Sequence, residues 1–217
     1  MSDSRSVILQ RISRTLGHEA AADAPAILPR LAEHARGPQP QWAEDARTRF
    51  LNKLEKVVGT WAEVAGKEHI AQAVAGYLAA QNLPQRLVLA PHALLSGIDW
   101  PEGWEVEHRR ARGEDRASLA VAFCAIAETG SLVLLAGPDS PTTLNFLPDD
   151  FLCVLQENRI VPRMEDAWAL LRAERGAMPR ATNIITGPSR TADVEQTIQL
   201  GAHGPRRLHV LVLKDSG

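Results

Sequence analysis

Cysteine is almost absent from this sequence. Only Cys124 and Cys153 occur among 217 residues, both in apolar stretches and without a Cys-X-X-Cys pair or histidines at metal-ligand spacing. An iron–sulfur cluster is usually held by four thiolates, so these two cysteines cannot hold one unaided, and we expect no metal site in the chain. The pattern instead predicts two buried, reduced thiols, as is usual in the cytoplasm.

An excess of either charge is also absent. Lys and Arg number 24 against 26 Asp and Glu, which leaves a net charge of -2. No overall basic field therefore favours nucleic acid or anionic lipid as a partner. The first 17 residues contain an apolar run of only four, too short for a signal peptide or a membrane span. We therefore expect a cytoplasmic protein without a membrane span and without a nucleic-acid partner.

Several common sequence signatures are missing. The chain contains no GxxxxGK[ST], GxGxxG, HExxH or GxSxG motif. Their absence argues against the usual phosphate-binding loops, zinc metalloproteases and serine hydrolases. Because no flavin or nicotinamide fingerprint is present either, we assign no cofactor to this chain.

The N-terminal segment differs in composition from the rest of the chain. Val7, Ile8, Ile12 and Leu16 follow a helical spacing that Gly17 can end. Residues 18–41 are rich in Ala, Pro and Gly, which disfavours regular structure. We predict an N-terminal helix and extended linker over residues 1–41 and an α/β domain over residues 42–217.

Two helices and then alternating strands and helices are predicted in that domain. One long helix is expected in QWAEDARTRFLNKLEKVVGTW and a second in KEHIAQAVAGYLAAQNLP, which Pro84 ends. Short apolar runs follow, in the order RLVLAP, WEVEH, ASLAVAFCAIA, SLVLLAG, DFLCVLQ, ATNIITG and RLHVLVL, with helices expected in MEDAWALLRAERG and TADVEQTIQL. Continuous apolar runs are typical of strands buried on both sides. The predicted fold is a mostly parallel sheet with helices on both faces.

The first of three candidate loops is AETGS, which contains Glu128, Thr129, Gly130 and Ser131. Gly130 permits a tight turn whose amides can face a ligand. A carboxylate beside such amides can act as nucleophile or base, so Glu128 is a candidate catalytic residue. The alternative, which the pattern alone favours, is a turn residue that binds neighbouring amides or solvent.

The second and third loops offer groups that bind anions. TGPSRTADVEQ contains Gly187, Ser189, Arg190, Thr191 and Asp193, and its hydroxyls, its guanidinium and the free amides of a following helix would suit an anion. The alternative is a well-capped helix whose arginine pairs with a nearby acid.

GAHGPRRL places His203 and Gly204 at the entrance to the last strand. A histidine between glycines is expected to be exposed, although most lone histidines have a surface or structural role. We expect a functional role for His203 only if the three loops meet in space.

Three ordered motifs resemble those of the lactate utilization protein C family, whose core is called the LUD domain. They are AIAETGSLVL, GPSRTADVEQ and GAHGPRRLHVLVL, and the resemblance runs from about Ser6 to Leu213. It implies a fold like that of the glucosamine-phosphate isomerase, ribose-phosphate isomerase and coenzyme A transferase group. It also implies a role in bacterial oxidation of L-lactate to pyruvate, beside partner subunits that carry the iron–sulfur clusters.

The resemblance also identifies candidate site residues in this sequence. The residues that match the family's three motifs are Glu128, Thr129, Gly130, Gly187, Ser189, Arg190, Thr191, Asp193, His203, Gly204 and Pro205. Coenzyme A transferases of this fold use a glutamate as acyl acceptor, but kinship of fold does not transfer chemistry. Phe151 stands where family members often have a histidine, so a site that relies on that histidine is not expected here.

Three functions remain open from the sequence. The preferred hypothesis is an accessory subunit of a cytoplasmic L-lactate oxidation system with a small anion or carboxylate site, rather than an independent catalyst. A second is a stand-alone enzyme of acyl or phosphosugar chemistry that uses Glu128. The third is a non-catalytic interaction module for iron–sulfur partner subunits.

Overall fold

A computed structural model of the chain describes residues 4–17, 33, 36–192, 198–201 and 203–215. By its internal contacts the chain divides into two units, Met1–Trp42 and Ala43–Gly217. In the first unit, helix α1 spans Ser4–Leu16 and ends at Gly17, whose φ of +64° is the left-handed conformation common at helix ends. The predicted linker lies mostly outside the described residues.

The second unit alternates strands with short helices. Its helices are α2 (Ala46–Lys56), α3 (Ile70–Ala80), α4 (Thr143–Phe146) and α5 (Met164–Arg175). Its strands are β1 (Thr60–Val64), β2 (Arg86–Leu89), β3 (Glu105–His108), β4 (Ala117–Val121), β5 (Cys124–Ile126), β6 (Ser131–Leu135), β7 (Asp150–Gln156), β8 (Ile160–Val161), β9 (Thr182–Ile185), β10 (Arg190–Ala192), β11 (Ile198–Leu200) and β12 (Arg207–Leu213). Short 3-10 helices occupy Lys67–His69, Ala93–Leu95 and Glu157–Arg159.

A six-stranded sheet forms the centre of this unit. Its strand order is β1-β12-β7-β4-β2-β3, and every neighbouring pair is parallel. The central strands β4, β7 and β12 are buried along almost their whole length. Strands covered on both faces need apolar side chains in both directions, which explains their continuous apolar runs. The predicted α/β fold with a mostly parallel sheet is confirmed.

A second, four-stranded sheet has the order β8-β5-β6-β9. The chain passes directly from the large sheet into this small sheet at Ala122 and Phe123. The amide of Ala122 bonds to Val154 of the large sheet at 2.9 Å, whereas the amide of Phe123 bonds to Val133 of the small sheet at 2.8 Å. The apolar run ASLAVAFCAIA therefore supplies one strand to each sheet, and this crossing joins the two.

Two of the predicted helices were wrong in part. The first begins only at Ala46, where the Asp45 carboxylate accepts a 2.9 Å hydrogen bond from the amide of Thr48, and it ends at Lys56. Trp61, the last residue of the stretch predicted as this helix, lies in β1 because β1 completes the edge of the large sheet beside β12.

The predicted helix TADVEQTIQL is contradicted at both of its described ends. The backbones of Arg190–Ala192 and Ile198–Leu200 form the antiparallel pair of β10 and β11. Strand pairing between the two segments outweighs the local pattern of capping residues, which favours a helix. Residues 193–197 lie outside the described part of the chain.

An ion pair with a buried carboxylate holds the start of β7 against the start of β12. Asp150 and Arg207 face each other in the strand register, and two guanidinium nitrogens of Arg207 donate to the two carboxylate oxygens. Tyr77 on α3 donates a further bond of 2.8 Å to the fully buried Asp150. Burial, followed by the nearby carboxylate, raises the pKa of Tyr77 well above its ordinary value, so its hydroxyl stays a donor. This pair anchors the loop that precedes β12.

Candidate functional site

The first two predicted loops are joined by a chain of hydroxyl groups. Ser131 at the start of β6 lies 2.7 Å from the hydroxyl of Thr129 and 2.6 Å from that of Thr186, oxygen to oxygen. The antiparallel pairing of β6 with β9 explains this contact, because Thr186 directly follows β9. The AETGS turn and the loop that begins at Thr186 therefore meet.

Glycines in both loops pack against the end of helix α2. Gly130 has a φ of +73°, and a Cβ atom placed on it would lie 2.6 Å from the Cβ of Lys53. Gly187 has a φ of +81°, and its Cβ would lie 2.8 Å from Cγ2 of Val57. A larger residue fits neither the backbone conformation nor the space at these positions. Both glycines thus bring their loops onto the same helix end.

The carboxylate of Glu128 faces the beginning of helix α5. Its Oε2 atom accepts a hydrogen bond from the amide of Met164 at 3.3 Å, and the amide of Glu128 donates to the carbonyl of Pro162 at 3.0 Å. A negative charge at this end of a helix is favourable, because free amides and the helix dipole both point toward it. The catalytic role predicted for Glu128 stays a prediction.

The second and third predicted loops are bonded to each other through Ser189. Its amide donates to the carbonyl of Pro205 at 2.8 Å, and its carbonyl accepts from the amide of Gly201 at 3.1 Å. Its hydroxyl accepts a longer bond of 3.4 Å from the amide of His203. A Cβ on Gly204 would lie 3.3 Å from the Cβ of Ser189. These two loops therefore form one surface.

A cavity of about 300 Å³ opens where these two loops meet the start of the large sheet, and we call it the loop cavity. Its lining consists of Asn145, Phe146, Phe151, Ile184, Ile185, Gly187, Pro188, Ser189, Arg190, His203, Gly204, Pro205 and Leu208. Arg190 and His203 are both exposed, so their side chains are accessible to a ligand. Phe151 gives the cavity an apolar wall.

Asn145 is a residue of this cavity that the motifs did not reveal. It is only 1% exposed, and within the described part of the chain neither its amide nitrogen nor its amide oxygen has a hydrogen-bond partner. The hydroxyl of Ser118 on β4 donates to the carbonyl of Leu144 at 2.6 Å and so fixes helix α4, which carries Asn145. A buried amide without partners is costly unless a ligand or water satisfies it. The only signal in the sequence was a polar residue inside the stretch TTLNFLP.

The other predicted site residues lie outside the loop cavity or outside the residues that the structure describes. Glu128, Thr129, Gly130 and Ser131 are not among the lining of the loop cavity, although Ser131 is linked to its edge through Thr186. The backbone of Thr191 lies in β10, but its side chain lies outside what the structure describes, and so does the whole of Asp193. Arg190, Ser189, His203 and the two neighbouring glycines are the predicted residues that the structure brings together.

The two cysteines lie apart from this cavity, in different sheets. Cys124 is on β5 and Cys153 on β7, and both are buried free thiols. Burial raises the pKa of Cys124 to about 12 and raises that of Cys153 further, so both stay protonated at neutral pH. Across the described ranges, no group of three or more His, Cys, Asp or Glu side chains is arranged to hold a metal ion. Nor does any helix described there combine the length and apolarity that crossing a bilayer demands.

Comparison with known proteins places the chain among relatives. The LUD domain family model matches residues 47–213. The chain is 28% identical to lactate utilization protein C of Geobacillus kaustophilus over 97% of this chain and 96% of that protein. It is 34% identical to lactate utilization protein C of Bacillus licheniformis over 56% of this chain and 57% of that protein.

The fold has a counterpart among solved structures. A crystal structure of a DUF162 family protein from Deinococcus radiodurans matches with a TM-score of 0.57 at 23% identity, over 80% of this chain and 99% of that chain. This likeness concerns the fold alone, whereas the family match spans nearly the whole second unit. The chain therefore belongs to the lactate utilization protein C family, whose core is the LUD domain.

Proposed function

We propose that this protein is an accessory subunit of a cytoplasmic L-lactate oxidation system and that its loop cavity binds a small carboxylate. Relatives named lactate utilization protein C support a role in lactate utilization. The observation that carries the binding proposal is the buried amide of Asn145, which has no partner within the described residues and lines the same cavity as Arg190. Clusters for electron transfer would belong to iron–sulfur partner subunits, because the two thiols here are buried in different sheets.

The lining suits a carboxylate of a few carbon atoms. The guanidinium of Arg190 can donate two parallel hydrogen bonds to such a group, and the amide nitrogen of Asn145 can donate another. The apolar wall that includes Phe151 would contact the carbon chain of the ligand. A volume of about 300 Å³ is at the lower end of the range for small-molecule sites, which favours a small metabolite.

Isothermal titration calorimetry with L-lactate and with pyruvate tests this site. Arg190→Ala should weaken binding of the carboxylate about 10-fold or more, because a charge-assisted hydrogen bond is lost. Arg116→Ala is the control, since Arg116 is also exposed and lies outside the cavity. Absence of binding heat for both acids, or equal affinities in the wild type and Arg190→Ala, would refute the carboxylate site.

Asn145→Leu provides a second test whose two readouts move in opposite directions. Leucine has the same number and branching of side-chain heavy atoms, so it removes the unpaired amide without opening a void. We expect carboxylate binding to weaken while the free energy of unfolding stays equal or rises. A variant that binds as tightly as the wild type would remove Asn145 from the site.

Exposed apolar side chains beside the cavity favour a second candidate, an interaction module for iron–sulfur partner subunits. Phe146, Leu147 and Ile184 are 40%, 51% and 39% exposed, and the first and third line the cavity. Apolar patches of this kind are common at protein interfaces.

Co-purification with the partner subunits distinguishes this candidate from ligand binding alone. Leu147→Asp should abolish assembly and leave carboxylate affinity unchanged, since Leu147 does not line the cavity. Met178→Asp is the matched control, because Met178 is 63% exposed and lies outside the lining. Assembly that survives Leu147→Asp, or that is lost equally in both variants, would reject this surface as the interface.

A further inference from the structure

A second cavity lies at the point where the chain reverses its direction across the large sheet. From β2 the chain proceeds to β3 on one side, whereas after β4 its next strand in this sheet is β7 on the other side. Strands β2 and β4 are neighbours, so a crevice is expected between the loops that leave them. Open α/β sheets bind ligands at such a switch point, outside the carboxyl ends of the strands.

The structure has a cavity of about 410 Å³ at this place, which we call the junction cavity. Val121 ends β4, Gln156 ends β7 and His92 follows β2, and all three line it. The loop cavity shares no lining residue with it.

One side of the junction cavity carries two arginines stacked on Phe123. The guanidinium carbons of Arg159 and Arg175 lie 5.4 Å and 6.0 Å from the centre of that ring. Arg159 is paired with Glu174 through two hydrogen bonds. Arg175, in contrast, has no carboxylate within 4.0 Å among the residues described, so its charge is available to a ligand.

A tight turn adds polar groups to the lining of the junction cavity. Gly137 and Ser140 exchange backbone hydrogen bonds of 3.3 Å and 3.1 Å, which fixes the intervening Pro138 and Asp139. The hydroxyl of Ser140 is buried, the residue being 8% exposed, and no described residue is its hydrogen-bond partner. A buried hydroxyl without a partner, on a residue that lines a cavity, is a group expected to bind a ligand or an ordered water.

His92 supplies another donor. Its Nδ1 atom accepts a hydrogen bond of 3.1 Å from the amide of Leu94, so the proton of the neutral ring lies on Nε2. Burial lowers the pKa of His92, the Asp139 carboxylate opposes that effect, and the ring is uncharged at neutral pH. Two arginines thus stand against one carboxylate in the lining, that of Asp139.

We propose that the junction cavity binds a small organic oxyanion, with its charged oxygens on Arg175, Ser140 and His92 and any hydroxyl group of the ligand donating to Asp139. Carboxylates and phosphate esters share the required chemistry, since both accept several hydrogen bonds from a guanidinium. The apolar wall formed by Val121, Phe123 and neighbouring residues would contact the carbon skeleton. This site does not depend on the carboxylate site of the loop cavity.

Titration of the ¹⁵N-labelled full chain with inorganic phosphate, acetate and glycolate, followed by NMR, tests the proposal. We expect saturable shifts of the amides of Gly137, Asp139 and Ser140 with phosphate or with a carboxylate, and the stronger of the two identifies the oxyanion. Glycolate should bind more tightly than acetate, because only glycolate has a hydroxyl group for Asp139.

Two variants and one control decide the assignment. Arg175→Gln should weaken the binding about 10-fold and Ser140→Ala severalfold, whereas Arg190→Gln in the loop cavity should leave it unchanged. Thermal unfolding of each variant verifies that it is folded. Absence of saturable shifts in the turn, or affinities unchanged in both Arg175→Gln and Ser140→Ala, would overturn the proposal.

Discussion

The hydroxyl of Tyr77 donates a 2.8 Å hydrogen bond to the carboxylate of Asp150 and thereby ties helix α3 to the start of β7. Asp150 is fully buried, so the loss of any hydrogen-bond donor leaves the negative charge of its carboxylate less well stabilised. Tyr77→Phe should therefore lower the free energy of unfolding by about 2 kcal/mol. Urea denaturation at pH 7 measures this change.

A neighbouring carboxylate gives the control for that experiment. Asp149 pairs with Arg116 at 3.2 Å, but the Arg116 side chain is 67% exposed. An exposed ion pair contributes about 1 kcal/mol at most, so Arg116→Gln should have little effect on stability. Equal losses in the two variants would show that burial of Asp150 does not govern the strength of its bonds.

His209 should make stability depend on pH. Its ring stacks on Tyr77 with 4.4 Å between centroids, and burial lowers its pKa from 6.5 to about 4. Above pH 6.5 the imidazole is neutral in both the folded and the unfolded chain. As the pH falls from 6.5 toward 4, the unfolded chain binds a proton that the folded chain does not, and stability falls by about 3 kcal/mol.

The measurement compares His209→Gln with the wild type by urea denaturation at intervals between pH 7.5 and pH 4. Glutamine can still bond to Thr60, whose hydroxyl lies 2.8 Å from Nδ1 of His209, but it does not titrate. Between pH 7.5 and pH 4, the free energy of unfolding of the wild type should fall by about 3 kcal/mol relative to that of His209→Gln. A constant difference would mean that His209 titrates alike in both states.

Gly130 should tolerate no side chain, because its backbone lies against helix α2. Gly130→Ala would place a Cβ 2.6 Å from Lys53, at a φ of +73°. Gly97 is a matched control, with a φ of +70° and no atom within 4 Å of the added Cβ. Both variants lose the left-handed freedom of glycine, but only the first must also displace a helix.

We therefore expect Gly130→Ala to be about 2 kcal/mol less stable than Gly97→Ala. For a chain of this size, that difference corresponds to a fall of roughly 4–8 °C in Tm. Equal Tm values for the two variants would show that helix α2 yields to the added methyl group without cost.

Glu128 should contribute to stability through helix α5. Its carboxylate accepts a hydrogen bond from the amide of Met164, so Glu128→Ala should cost about 1 kcal/mol. Glu128→Gln keeps an accepting oxygen and should cost less. Because Glu128 does not line the loop cavity, both variants should bind carboxylates with the affinity of the wild type, as measured by calorimetry.

A covalent test separates this expectation from the enzyme hypothesis. Incubation with an acyl coenzyme A followed by hydroxylamine should leave Glu128 unmodified, as mass spectrometry would report. A hydroxamate at Glu128 would instead support the hypothesis of a stand-alone acyl enzyme.

Elements with a continuous apolar run could be predicted from the sequence, whereas those that depend on a distant partner could not. Strands β4, β7 and β12 are buried on both sides, so nearly every one of their residues is apolar. Strand β1 lies at the edge of the sheet and is only partly buried, and its pattern merges with that of helix α2. Strands β10 and β11 exist through their mutual pairing, which local capping signals oppose.

Among the candidate site residues, too, some could be predicted from the local sequence and others depend on distant segments. Ser189, Arg190 and His203 could be predicted because glycine and proline mark their loops, and the structure places them around one cavity. Asn145 and Ser140 could not, because what distinguishes each is a buried polar atom without a partner in the described structure. That property arises only when distant segments surround the side chain, and no local pattern encodes it.

Strand β7 also sets the spacing between the two cavities. Phe151, near its first residue, lines the loop cavity, and Gln156, its last, lines the junction cavity. At about 3.3 Å per residue, these two positions are roughly 17 Å apart along the strand. Hydrogen bonds to β4 and β12 on either side prevent β7 from sliding lengthwise. Two small ligands bound together would therefore sit at a fixed separation and never touch.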